Sequence, residues 1–141
     1  EEILRASLDA RPFAIKVNGH EIGAILGETI DEPEAAIHAA KRLREKGIQT
    51  VVVTLGKLGA VLADGSGCWH AQPPNVRVVD AVGSGDSFLA GLVTAPAGDS
   101  AQALRRAAAA GAANTQSLGS GSFTVAEFEA ALAETRVRPL G

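Results

Sequence analysis

Ile48-Gln49-Thr50-Val51-Val52-Val53-Thr54-Leu55 is the stretch that decides the fold class. Its β-branched run has no polar alternation, as in a strand buried on both faces of a parallel sheet. Upstream, Asp31 is a good N-cap, Pro33 sits in a first helical turn, and Glu32 and Glu34 suit the positive helix start. Ala36, Ala40 and Leu43 recur at helical spacing, basic residues gather at 41–46, and Gly47 is a candidate C-cap. A short strand is expected over 13–17 and a short helix from Gly19 to Leu26, ended by Gly27. Strand, helix, strand is the βαβ pattern of an α/β domain.

Downstream, Asp64-Gly65 between apolar runs predicts a hairpin. Val76–Val79 reads as another short strand. A helix is expected over 86–94, straight after a glycine-rich turn, and an Ala-rich helix from a cap at Asp99 or Ser100 to about Leu118. Thr124 and Glu127 predict a capping box for a last helix, with Val125, Phe128, Ala131 and Leu132 inward. Residues 3–10 read as the end of a helix.

The 141 residues suit one domain; 46% are hydrophobic and 21% charged, which supports a core and argues against disorder. The net charge of -3 and the absence of a basic block favour neither nucleic acid nor an anionic membrane surface. No apolar stretch approaches the roughly 18 residues of a membrane span. Cys68 is the only cysteine, so a reducing, cytoplasmic setting is expected. There is no Met and the chain opens on Glu1-Glu2-Ile3-Leu4, which reads as a piece of something longer.

Three stretches could carry chemistry. The first is Asp80-Ala81-Val82-Gly83-Ser84-Gly85-Asp86-Ser87-Phe88, between a strand and a helix. Gly83 and Gly85 permit a tight turn, and the helix start favours an anion. Asp86 beside a bound phosphate makes sense as a base that takes a proton from an attacking hydroxyl; equally, it could simply cap the helix. The second is Thr54-Leu55-Gly56-Lys57-Leu58-Gly59 at a strand end, where Gly56 and Gly59 leave room for a nucleotide or make an ordinary turn. The third is Lys16-Val17-Asn18-Gly19-His20-Glu21. Lys16 could touch phosphate, and Asn18 with Glu21 could hold Mg²⁺ through water or form a capping box. Arg105 and Arg106 read as a solvated helix face. A P-loop is absent, and Phe88 stands where a dinucleotide-binding fingerprint needs a third glycine.

Together these motifs resemble the PfkB (ribokinase-like) carbohydrate kinases, whose signature Asp-Thr-x-Gly-Ala-Gly-Asp-x-Phe is matched by Asp80–Phe88 with Ala81 and Ser84 as departures. Asn18 to Glu21 matches that family's Asn-x-x-Glu, and Thr54 to Gly59 its Thr-x-Gly-x-x-Gly. Pro73-Pro74-Asn75-Val76-Arg77-Val78-Val79 looks like the hexose-phosphate kinases, 1-phosphofructokinase and tagatose-6-phosphate kinase. The resemblance implies a three-layer α/β/α fold with a largely parallel sheet, of which residues 1–141 would be the C-terminal nucleotide-binding and catalytic part, without the N-terminal sugar-binding part and lid.

It also implies ATP and Mg²⁺ as cofactors, a sugar or sugar phosphate as substrate and a possible homodimer. Asp86 would be the general base, and the N–H groups of Gly83, Ser84, Gly85 and Asp86 the anion hole. Lys16 would contact phosphate, Thr54, Gly56 and Gly59 would line the nucleotide, Ala110 and Asn114 would lie near adenine, and Asn18 and Glu21 would organise the metal. The alternatives are a nucleotide-binding fragment or module without turnover, and a dinucleotide-binding domain.

Overall fold

The computed structural model describes residues 2–141. In chain order the elements are α1 (Glu2–Asp9), β1 (Ala14–Asn18), α2 (Gly19–Leu26), α3 (Pro33–Glu45), β2 (Thr50–Thr54), a 3-10 turn (Gly56–Leu58), β3 (Ala60–Asp64), β4 (Gly67–Gln72), α4 (Ser84–Val93), α5 (Ser100–Thr115), α6 (Val125–Glu134) and β5 (Arg136–Pro139). The strands form one sheet in the order β1-β2-β3-β4-β5. The chain divides into two compact units, one reaching to His70 and including Pro139–Gly141, the other Ala71–Arg138.

In the first unit β1 and β2 are parallel, with Val17 opposite Val53. Val51, Val52 and Val53 are buried, as the β-branched run requires of a strand covered on both faces. Ala36, Ile37, Ala40 and Leu43 of α3 join Val51 and Val53 in the core cluster. The largely parallel sheet is corrected at β3, which runs antiparallel to β2 with Val53 opposite Val61. The link Leu55–Gly59 is too short for a parallel crossover, which needs about a dozen residues. It is closed instead by the Leu55 N–H on the Gly59 carbonyl at 2.8 Å. The expected hairpin forms, and Asp64 Oδ1 accepts the N–H groups of Ser66 (2.8 Å) and Gly67 (3.3 Å) in its turn.

The start of α3 also differs from expectation. Glu32, not Asp31, is the N-cap, and it makes no side-chain cap bond. Pro33 is the reason: the residue before a proline is driven into extended backbone, and Glu32 has φ -128° and ψ 152°. The short helix α2 matches expectation, ending on Gly27 at φ 71°.

The second unit holds α4, α5 and α6. Gly91 of α4 lies so close to α5 that a Cβ there would meet the Arg106 carbonyl oxygen at 2.7 Å, so the two backbones touch. Ala109, Ala113 and Ala131 form a small core with Phe123, Phe128 and Leu132 against it. Val125 is exposed, contrary to expectation, because it starts α6 beyond that core. The Ala-rich helix stops at Thr115, three residues short of Leu118. Val76–Val79 forms no strand: the N–H groups of Val79 and Asp80 both donate to the Thr115 carbonyl, at 2.7 and 3.2 Å, so the segment is tied to a helix end.

The predicted capping box is present. Thr124 Oγ1 accepts the Glu127 N–H at 3.2 Å, and Glu127 Oε2 accepts the Thr124 N–H at 2.6 Å. Thr124→Ala should therefore lower stability by about 1 kcal/mol, read from denaturant unfolding; an unchanged midpoint would show that α6 does not depend on its cap. Arg105 and Arg106 are half-buried rather than solvated. Arg105 donates to the carbonyls of Leu132 (2.7 Å) and Thr135 (3.1 Å), closing the α6 end, and Arg106 lies 5.2 Å over the Phe128 ring.

Candidate active site

The glycine turn lies wholly in the second unit. Gly83 is the N-cap of α4 at φ 78°, a left-handed conformation open to glycine, and no side chain caps the helix. The helix therefore begins two residues before the expected Asp86. Asp86 occupies the third helical position and is exposed, so the reading of it as the cap is not what the structure adopts. Of the four expected anion-hole donors, the Ser84 N–H is committed to the Ala81 carbonyl at 3.2 Å. Gly85 and Asp86 lie in the first helical turn, where N–H groups have no carbonyl within the helix to reach. They point the positive end of a ten-residue helix outward from the turn.

Side chains hold this turn. Asp80 Oδ1 accepts the Val82 N–H at 2.9 Å, and its Oδ2 accepts the Gly119 N–H at 3.3 Å. Asn114 is fully buried on α5 and donates to the Val82 carbonyl at 2.8 Å. Ser120 closes over Gly83, where a Cβ would lie 1.8 Å from the Ser120 Oγ. Ala110, one turn before Asn114 on α5, is buried as well. Phe88, at the position of the missing third glycine, is buried on α4 with its Cβ 3.6 Å from where a Cβ on Gly111 would stand. It is a packing residue, which closes the dinucleotide fingerprint.

The remaining expected residues lie in the first unit. The register sets Asn18 opposite Thr54 at the carboxyl ends of the parallel strands β1 and β2, with Lys16 two residues earlier opposite Val52. The carboxyl ends of parallel strands are where α/β sheets place ligands. Thr54 leads into the 3-10 turn, where Gly56 (φ 57°) and Gly59 (φ 87°) take conformations that favour glycine, and no atom lies within 4 Å of a Cβ built on Gly56. The capping box at α2 is real: Asn18 Oδ1 accepts the Glu21 N–H, and Glu21 Oε2 accepts the Asn18 N–H, both at 2.8 Å.

That box engages one carboxylate oxygen of the exposed Glu21. An oxygen donor set with a single carboxylate fits Mg²⁺ held through water and does not fit a direct all-protein cage. Among the described residues no group of three or more His, Cys, Asp or Glu is placed to hold a metal. Also among them, no helix is long and apolar enough to cross a membrane.

A glycine turn that opens a helix, with an exposed carboxylate in the helix's first turn, on an α/β fold, is an arrangement expected of phosphoryl-transfer proteins. The model of the pfkB family of carbohydrate kinases matches residues 3–126, and the chain belongs to that family. Over 92 residues it is 45% identical to the 1-phosphofructokinase of Escherichia coli, a match covering 65% of this chain and 30% of that protein. Phosphofructokinase-2 from Escherichia coli, solved with substrates and products, superposes with a TM-score of 0.80 at 27% identity, covering 94% of this chain and 44% of that one. Aminoimidazole riboside kinase from Salmonella enterica, solved with aminoimidazole riboside and an ATP analog, gives 0.74 at 28% identity, covering 93% and 45%. The chain thus spans less than half the length of each of these relatives.

Proposed function

We propose that the chain carries the nucleotide-binding and catalytic part of an ATP-dependent kinase acting on a hydroxyl of a sugar or sugar phosphate, a hexose-phosphate kinase such as 1-phosphofructokinase. The observation that carries this reading is Asp86, exposed in the first turn of α4 beside the N–H groups of Gly85 and its own backbone. A carboxylate there suits the positive helix start but costs phosphate affinity, and taking a proton is what it would add to the chemistry. In this reading Asp86 accepts the proton of the substrate hydroxyl as that oxygen bonds to the γ-phosphorus. The bond between the γ-phosphorus and the β–γ bridging oxygen breaks, and ADP leaves. The N–H groups of the turn stabilise the charge on the moving phosphoryl group, commonly the largest catalytic contribution.

Lys16 contacts phosphate in this scheme, and Thr54, Gly56, Gly59 and Ala110 line the nucleotide. Mg²⁺, when bound, neutralises phosphate charge, with Asn18 and Glu21 holding it through water. A cytoplasmic setting and a homodimer belong to the same proposal. Calorimetry with Mg-ATP followed by a turnover assay over a panel of hexose phosphates tests it. Failure of ATP to bind would overturn it.

The share of the relatives that the chain spans favours a second reading, a nucleotide-binding fragment without turnover of its own. ATP binding with no turnover on any hexose phosphate would select it.

A further inference from the structure

The Asn114 side chain, expected from the resemblance to lie near adenine, is the hub of the glycine turn. It has no solvent exposure, and both ends of its amide are used. Its Nδ2 donates to the Val82 carbonyl at 2.8 Å and to Ser84 Oγ at 3.3 Å, on the two sides of Gly83. Its Oδ1 accepts the Gly121 N–H at 2.7 Å and the Ser87 hydroxyl at 3.1 Å. One side chain thus ties together the turn, the second helical turn of α4 and the Gly119–Ser122 loop.

The amide can sit in only one orientation. A backbone carbonyl can only accept and a backbone N–H can only donate, so Val82 and Gly121 between them assign nitrogen and oxygen. A buried network with every polar end paired is rigid, and a rigid turn keeps its donors aimed before the anion arrives.

We propose that Asn114 is a positioning residue for the anion turn: it sets where the Gly85 and Asp86 N–H groups point, and it touches no nucleotide itself. This rests on the reading of the turn as a phosphate site, and it replaces contact with adenine as the role of Asn114. Asp at this position would keep the acceptor for Gly121 and Ser87. It would set a second oxygen against the Val82 carbonyl, where two acceptors repel.

The test follows the amide resonances of Gly85 and Asp86 as inorganic phosphate, and separately ATP, is added to the chain. The native chain should respond at both amides. Asn114→Asp should bind about tenfold or more weakly, the cost of one or two lost hydrogen bonds, with the response at the two amides reduced. Ser87→Ala, which removes only the α4 hydroxyl bond, should keep the native response. No response in the native chain would overturn the phosphate reading itself, and the proposal with it. A native response that Asn114→Asp leaves unchanged, even at a lower melting temperature, would overturn the positioning role alone. If Asn114→Asp does not fold, the native chain still decides. The Asn114 side-chain amide resonances must move together with those of Gly85 and Asp86 on phosphate addition, and unmoved resonances would overturn the proposal.

Discussion

Asp86→Asn should lower phosphoryl transfer by about 10²–10⁴-fold, the usual contribution of a positioned general base, while ATP binds as well as before or better. Asn keeps the size of the side chain but cannot take the proton. In the proposed site the carboxylate would face the phosphates and repel them, so removing its charge should not weaken the nucleotide complex. The two observables are expected to separate: turnover on a hexose phosphate falls while calorimetric affinity for Mg-ATP holds. Near-native turnover would remove Asp86 from the chemistry. A parallel loss of affinity would instead show that Asp86 serves the shape of the turn.

Gly83→Val should cost both stability and anion binding. Gly83 sits at φ 78°, where a non-glycine residue is strained by roughly 1–2 kcal/mol and a β-branched one is a genuine outlier. Its Cβ would also stand 1.8 Å from the Ser120 Oγ and 2.4 Å from the Ser120 Cβ, so the 119–122 loop must move. That loop holds the turn through the Gly119 N–H on Asp80 and the Gly121 N–H on Asn114, so moving it loosens the same network from the other side. A lower melting temperature with ATP binding lost is the expected outcome. Combining Gly83→Ala with Ser120→Gly separates the two causes. It removes most of the clash, leaves the backbone strain, and should recover part of the stability that Gly83→Ala alone loses. No recovery would mean that strain at Gly83, rather than crowding by Ser120, dominates.

The parts of this site that could be read from the sequence are local. Asn18 with Glu21 and Thr124 with Glu127 are pairs three residues apart, and a capping box needs nothing beyond that spacing and a free helix start. The glycine turn is likewise contiguous, and its strand-to-helix setting suggested an anion site. What stayed hidden depends on partners far along the chain. Asn114 reaches Val82 and Ser84 across 32 and 30 residues, and Arg105 reaches Leu132 and Thr135 across 27 and 30. Neither residue type announces such a partner, since Asn on an Ala-rich helix and Arg on a helix face are usually solvated.

Local pattern by itself therefore determined that a buried strand follows an amphipathic helix, that a hairpin forms at Asp64-Gly65, and that a glycine turn opens a helix with Asp86 in its first turn. These depend on backbone preferences and on hydrogen bonds between near neighbours. Tertiary structure alone decided that β3 turns back antiparallel, that Val76–Val79 is tied to the end of α5 and forms no strand, and that Asn114 holds the glycine turn. In each case a backbone donor or acceptor had more than one possible partner, and the choice between them was made by which distant group the packed chain brought within hydrogen-bond reach.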